Sequence, residues 1–194
     1  MNKSTVNLKD KVVKRAVNSL RKSKRIEQIS FVAIANELNV SVEEISEFYT
    51  TTEDIFLEAQ KKDWESLHRY WDRHIKKSKT PGDFKSAFEV FFERFVETLS
   101  EDADLRLEMS CYLPKCIKYR EKNRQKVKQK FEKLIKRGWP GKDIKVLERQ
   151  SELVTVLFYG FMDHIVHIPK TERTKILRDF RNMLNLHLQD RKFF

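Results

Sequence analysis

The residues with the clearest capacity for chemistry lie near the C-terminus, where Asp163, His164 and His167 fall within one helical turn. Two histidines three positions apart on a helix can share a metal ion. A metal site needs further ligands, however, and no glutamate or cysteine stands beside them. A polar contact in a pocket or at an interface fits the pattern better, so we predict no metal and no other cofactor.

Cys111 and Cys116 flank Pro114, and their spacing could bring two thiols together for redox sensing. Buried structural thiols are the commoner alternative. The chain has only four glycines, and it contains no nucleophile elbow, phosphate-binding glycine loop or zinc motif. We therefore predict that the protein is not an enzyme.

The elements that carry these residues are predicted to be helices. The 194 residues include only four glycines and four prolines, too few for the many turns of a β protein, and the apolar residues recur at helical spacing. The fold class is therefore all-α, with about nine helices. Their expected positions are 8–20 with Asn7 as N-cap, 31–38, a short helix from Ser41, a helix that starts after Thr52 and runs to about Lys77, 81–99 with Thr80 as N-cap, a helix from Ala103 that Pro114 breaks or kinks, a basic helix that runs to Lys136, 143–167 and 176–188.

Two of these helices are short and closely joined. Ser30 is placed to cap the segment FVAIANEL, and Ser41 with Glu44 forms a Ser-x-x-Glu capping box at the start of the next helix. Two short helices joined by about three residues make a helix-turn-helix, although a generic helical corner has the same pattern. We predict a three-helix domain over residues 1–52 and a helical ligand-sensing and dimerisation domain over residues 53–194.

The segment IANELNVSVEEISEFYTTTEDIF, residues 34–56, resembles the signature of the tetracycline-repressor (TetR) family. The matching features are Ile34-Ala35, the Val40-Ser41 turn, the short helix from Ile45 to Tyr49, and Glu53-Asp54-Ile55. Detailed similarity covers roughly residues 8–60, and the helical plan agrees over the rest. The resemblance implies a cytoplasmic, ligand-responsive repressor that binds DNA as a homodimer, with its last two helices in a four-helix bundle and a ligand cavity among the middle helices.

The chain departs from the family pattern in the recognition helix, the short helix that follows Ser41, and on either side of it. Asn39 replaces the usual glycine, Val42-Glu43-Glu44 replaces Lys-Gly-Thr or similar, Ser46 replaces a tyrosine that commonly contacts phosphate, and Thr52 replaces a lysine. Residues 26–60 contain eight carboxylates and no cation, a charge of −8. Because the whole chain carries +11, the residues outside this segment carry +19. The alternative function is therefore a TetR-like sensor or protein-interaction protein whose acidic helix-turn-helix does not bind DNA in the usual way.

These interpretations assign residues to three sites. The expected contacts to double-stranded DNA are Lys9, Lys11, Lys14, Ser30, Val42, Glu43, Ser46, Tyr49, Thr50 and Thr51. A pocket for a small apolar or amphipathic ligand is expected to be lined by Trp64, Leu67, Trp71, Phe88, Phe91, Phe92, Tyr112, Leu157, Phe161 and His164. The expected homodimer interface contains Leu153, Val156, Gly160, Ile176, Phe180, Met183 and Leu184.

The segment 115–137 is strongly basic, with eleven cations opposed only by Glu121 and Glu132. It could dock an anionic partner, form a solvated helix face, or balance the acidic N-terminal domain. Elsewhere, the first 14 residues lack the apolar stretch of a secretory signal, and no run approaches the ~20 apolar residues of a membrane span. We therefore predict a cytoplasmic protein without membrane insertion.

Overall fold

The computed structural model describes residues 3–23, 25–91, 93–94, 109, 112–165 and 167–189. It confirms the all-α class, and no β-strand occurs among these residues. The helices are α1 (Lys3–Ser23), α2 (Phe31–Leu38), α3 (Val42–Ser46), α4 (Thr52–Lys77), α5 (described over 81–91 and 93–94), α6 (Pro114–Gly138), α7 (Ile144–Ile165) and α8 (Lys170–Gln189). A short 3₁₀ turn, Ile26–Gln28, precedes α2.

The chain divides into two compact units. The first contains Met1–Ser66 and Asp104–Arg120, and the second contains Leu67–Ala103 and Glu121–Phe194. Because α4 and α6 are long, each contributes to both units. The division into units therefore falls within these two helices. The boundary expected between residues 52 and 53 concerned functional domains, and it stays a prediction.

The helix-turn-helix of the first unit is fixed by local hydrogen bonds. The Ser30 hydroxyl oxygen accepts from the Ala33 amide at 3.2 Å, which caps α2. Asn39 ends α2 in the left-handed conformation, with φ 53° and ψ 46°, which asparagine tolerates better than most residues. The predicted capping box at α3 is confirmed, because Ser41 Oγ accepts from the Glu44 amide at 3.1 Å and the Glu44 carboxylate accepts from the Ser41 amide at 2.8 Å.

The core of the first unit collects one apolar stripe from each of its helices. Side chains spaced three or four apart on α1 meet residues of α2, α3 and the first turns of α4. The almost fully enclosed members are Val12, Ala16, Leu20, Ile34, Ala35, Ile45, Ile55 and Phe56. This packing leaves the opposite face of α3 outside the core.

The second unit is built around aromatic rings. Trp71 of α4 stacks on Phe91 of α5 with ring centroids 3.6 Å apart, and Phe131 of α6 lies 5.3 Å from Trp71. Phe88 and Phe158 complete the cluster against Phe131, at 5.5 and 5.4 Å. Ring pairs at such distances add to the stabilisation from apolar burial. This cluster joins four helices of the unit.

Several helix ends test the sequence predictions. Thr80 caps α5 as expected, because its hydroxyl oxygen accepts from the Asp83 amide at 3.2 Å. Pro114 is the first residue of α6, where its missing N–H and fixed φ are favourable. The prediction of Asn7 as a cap is wrong, because α1 already begins at Lys3 and Asn7 lies inside it. The helix predicted from Ala103 lies mostly outside the described residues, as do Phe92 and Cys111.

Candidate nucleic-acid interface

The outer face of α3 is the exposed surface of the helix-turn-helix. Ile45 and Tyr49 point into the core, whereas Glu43, Ser46 and Glu47 are exposed. Glu43 and Glu47 lie one turn apart, and no cation among the described residues pairs with either carboxylate. Glu44 differs because the capping box occupies its carboxylate. The face that would enter a DNA groove therefore presents hydrogen-bond acceptors and one hydroxyl.

The predicted DNA contacts fall into two groups. Ser30, Glu43, Ser46, Thr50 and Thr51 are exposed, and Val42 is half-buried. Tyr49, by contrast, is 5% exposed, and burial raises the pKa of its hydroxyl to about 12, with Glu58 and Asp10 adding to the effect. A phenol enclosed in this way packs in the core of the first unit. The prediction of DNA contacts is therefore kept only for the other residues.

The predicted cations of α1 also differ in their surroundings. Lys11 and Lys14 are exposed, while the Lys9 ammonium lies 5.0 Å from the centroid of the Phe48 ring, beside the C-terminal end of α3. Arg15 is committed to an ion pair with Glu37 of α2. Lys11 and Lys14 are therefore accessible to an anion, and Lys9 stands next to α3.

The start of α4 is tied to the start of α6 by Lys115. Its ammonium lies 2.6 Å from Asp54, and its amide donates to Glu53 at 2.5 Å. The hydrogen bond from Lys115 lowers the pKa of Asp54, and the same bond raises the pKa of Lys115. Because α4 follows α3 after only a few residues, this contact anchors the chain that leaves the recognition helix. In the sequence Lys115 belongs to a basic run, and no pattern there indicates Asp54 as its partner.

The predicted ligand-binding residues are distributed over both units. Trp64 is buried in the first unit, to which the exposed Tyr112 also belongs. Leu67, Trp71, Phe88 and Phe91 are buried in the second unit, where Leu157 and Phe161 are half-buried and His164 is exposed; Phe92 lies outside the described residues. The three rings of Trp71, Phe88 and Phe91 pack directly around Phe131. The pocket stays a prediction.

A buried polar pair beside these rings was not predicted. His68 Nε2 lies 2.9 Å from Asn123 Oδ1, and Asn123 is only 1% exposed. Burial lowers the pKa of His68, and the cations Lys130 and Lys126 act in the same direction. The imidazole is therefore held in its neutral form at neutral pH. The sequence contains no signal for this contact, since 55 residues separate its partners.

The predicted dimer residues also divide by exposure. Leu153, Val156, Gly160 and Met183 are exposed, and Ile176 is half-buried. Phe180 and Leu184 are buried within the second unit, where Phe180 stacks on Phe161 with centroids 3.9 Å apart. On α7 the exposed positions recur at i, i+3 and i+7, which places them on one helical face. These three exposed positions of α7 are thus apolar.

The weaker chemical candidates can be placed as well. Within the described part of the chain, no three His, Cys, Asp or Glu residues are grouped so that they could hold a metal ion. Cys116 is a buried free thiol, and burial raises its pKa to about 12, so it is protonated and unreactive as a nucleophile. Among the described helices, none is both long and apolar enough to cross a bilayer.

The fold of this chain is similar to that of solved structures, although no similarity is found from sequence. No protein-family profile matches the sequence, and no curated protein matches it. The fold is similar to that of the transcriptional regulator FadR from Bacillus subtilis, which was crystallised in complex with stearoyl-CoA. The TM-score is 0.62 with 17% sequence identity, over 92% of this chain and 96% of that one. The chain therefore shares the all-helical fold of that protein.

Proposed function

We propose that the protein is a ligand-responsive transcriptional regulator of the TetR type that binds double-stranded DNA as a homodimer. The observation that carries this proposal is the helix-turn-helix, in which α2 and α3 are both capped and α3 turns a polar face outward. A recognition helix needs this orientation to reach base edges. The similarity to a transcriptional regulator over 92% of the chain supports the same function.

The DNA contacts follow from the charges of this surface. Carboxylates on α3 repel phosphate, so phosphate contacts fall to Lys11 and Lys14 of α1 and to the hydroxyls of Ser30 and Thr50. The predicted contact of Thr51 is not kept, because its hydroxyl donates to Asp54 at 2.9 Å. Glu43 is left to accept a hydrogen bond from an exocyclic amine, which cytosine and adenine offer in the major groove. Binding of this kind has a modest electrostatic component and depends on base contacts for its specificity.

The homodimer is proposed to form through α7 and α8. Leu153, Val156 and Met183 retain about half of their exposure in the protomer, and Gly160 has no neighbouring atom within 4 Å of an added Cβ. An apolar face with a gap at its centre suits the close approach of a second helix. A homodimer supplies two recognition helices, as two half-sites on DNA require.

The ligand is proposed to be small and apolar or amphipathic. FadR of Bacillus subtilis was solved with stearoyl-CoA, so a long acyl chain is a reasonable first probe. Because Trp71 stacks on Phe91, an apolar chain that enters this cluster must separate the two rings. Titration with stearoyl-CoA should then change the tryptophan fluorescence, and Trp71→Phe should remove most of that change while Trp139→Phe should not.

The direct test is a mobility-shift assay with the protein's own upstream DNA at about 50 and about 150 mM salt, because DNA affinity is salt-dependent. We expect a shifted complex that an unrelated duplex does not displace at equal concentration. The triple variant Lys9→Gln, Lys11→Gln, Lys14→Gln should flatten the salt slope by up to about one unit per lost contact. A wild-type protein that never shifts this DNA at either salt concentration contradicts the proposal for that promoter.

A second candidate function rests on the unpaired carboxylates Glu43 and Glu47. A helix-turn-helix with this surface could bind a basic protein instead of DNA. Changing both to Gln separates the two functions, because it removes two repulsive charges from a DNA complex but two attractive charges from a protein complex. Stronger DNA binding supports the regulator. DNA affinity that stays at background, together with loss of a protein complex, supports the alternative.

A further inference from the structure

The cations of α6 in the second unit fall into two classes. The first class has partners within that unit: Lys128 pairs with Glu152, Lys130 with Asp72, and Lys136 with Glu132 and Glu148. Arg124 lies over the Tyr159 ring, and Arg137 lies over the Phe84 ring. The second class consists of Lys122, Lys126 and Lys133, which are exposed and have no paired carboxylate among the described residues. We call this second class the lysine stripe.

The lysine stripe is straight. Its members occupy positions i, i+4 and i+11, which differ by no more than about 40° around a helix of 3.6 residues per turn. At a rise of 1.5 Å per residue the stripe is about 16 Å long. Gln125 and Gln129 fill the positions between the lysines and are exposed. The face therefore combines regularly spaced cations with amide donors.

The net charge of the second unit also favours an anionic partner. Its sequence contains 25 Lys and Arg against 16 Asp and Glu, a formal charge of +9, whereas the first unit has 15 against 13, a formal charge of +2. Most of the chain's excess positive charge is thus in the unit without the helix-turn-helix. An anion that binds this protein through electrostatics is attracted mainly to the second unit.

The chemistry of the face distinguishes among anionic partners. A membrane-binding helix needs large apolar side chains beside its lysines, and the positions beside this stripe hold glutamines. Exposed ion pairs with protein carboxylates contribute only about 0–1 kcal/mol each. A phosphate backbone releases condensed counterions on binding, which gives a salt slope of about −0.9 per contact. A duplex strand also presents one phosphate per 3.4 Å of axis, several along the stripe.

We propose that the lysine stripe of α6 is a second, sequence-independent contact for the phosphate backbone of double-stranded nucleic acid. It is separate from the helix-turn-helix and adds to the affinity of the proposed regulator without reading sequence. The inference rests on the proposed function only in that both require DNA, since the stripe acts on any duplex and the helix-turn-helix selects among duplexes.

The test measures binding to a random-sequence 30-base-pair duplex by fluorescence anisotropy between about 50 and about 200 mM salt. The test variant is Lys122→Gln, Lys126→Gln, Lys133→Gln. The matched control is Lys76→Gln, Lys142→Gln, Lys145→Gln, which removes the same charge from three exposed lysines of the same unit outside the stripe. Circular dichroism checks that both variants remain folded.

We expect the stripe variant to reduce the salt slope by about 2–3 units, which follows from about 0.9 for each of three contacts, and to weaken binding at 50 mM salt at least tenfold more than the control does. Equal effects of the two variants would show a general charge effect and overturn the proposal. Unchanged duplex binding with lost association to an acidic protein or to anionic vesicles would also overturn it. The stripe variant should keep the wild-type preference for a selected DNA site, because the stripe does not read sequence. Absence of that preference would instead be a failure of the proposed function.

Discussion

Gly160 provides the sharpest test of the proposed dimer, because a substitution there should affect the protomer and the dimer in opposite directions. An alanine Cβ at this position would meet no atom within 4 Å in the protomer. Replacing an interior helical glycine by alanine stabilises a helix by about 1 kcal/mol. Gly160→Ala should therefore raise the free energy of unfolding of the protomer, and Gly160→Leu should at least leave it unchanged.

The dimer should respond in the opposite sense. Leu153, Val156, Met183 and Leu186 retain 40%, 45%, 46% and 69% of their exposure. Since complete burial of such a side chain contributes about 1.5–3 kcal/mol, covering what remains is worth about 3–6 kcal/mol per protomer. A leucine at position 160 would hold the second helix away and forfeit part of this, and a loss of about 1.4 kcal/mol already raises the Kd tenfold.

Sedimentation equilibrium and thermal unfolding measure the two effects separately. The matched control is Gly82→Ala at the start of α5, where an added Cβ meets only Thr80 Oγ1 at 3.7 Å and no interface is proposed. We expect a stable protomer with a dimer Kd at least tenfold weaker for Gly160→Leu, and a wild-type Kd for Gly82→Ala. An unchanged Kd for Gly160→Leu would show that no helix approaches this face of α7.

Three further predictions concern the stability of each unit. Since burial lowers the pKa of His68 from 6.5, the unfolded state binds more protons below that pH; stability is fully present above pH 6.5 and falls as the pH drops towards the folded-state pKa, and His68→Gln should flatten this part of a urea-midpoint profile. Asn39→Ala should destabilise the protein by about 1 kcal/mol in chemical denaturation because of the left-handed conformation, whereas Asn39→Gly should be neutral or stabilising. Phe131→Ala, at a ring that contacts four others, should cost about 3–5 kcal/mol; a smaller loss in the same measurement would mean that the cluster repacks.

The local features of the fold were predictable because their causes are local. Ser30, Ser41 and Glu44 make their hydrogen bonds within three residues along the chain, and a motif of that length is visible in the sequence. Helical periodicity likewise located the stripes that form both cores. The all-α class and most helix ends followed from these signals.

The tertiary contacts were not predictable because their partners lie far apart in the sequence. Lys115 meets Asp54 across 61 residues, and His68 meets Asn123 across 55, so no spacing rule connects them. Periodicity shows that one face of a helix is apolar, but it cannot distinguish burial within the unit from burial against a partner. Phe180 and Met183 were predicted together as interface residues, but Phe180 is buried within the second unit and Met183 is 46% exposed.

Most carboxylates of the acidic segment, residues 26–60, have a local partner in the structure. Of its eight carboxylates, Glu37 is paired with Arg15, Glu44 caps α3, Glu53 and Asp54 contact Lys115, and Glu58 lies near Lys62. These pairs use cations from outside residues 26–60, so a count along the sequence overstates the negative field at the recognition surface. Three carboxylates of the segment have no such contact among the described residues: Glu27 and, on α3, Glu43 and Glu47. Phosphate attraction must then come from other parts of the chain, and we assign it to exposed lysines of α1 and α6.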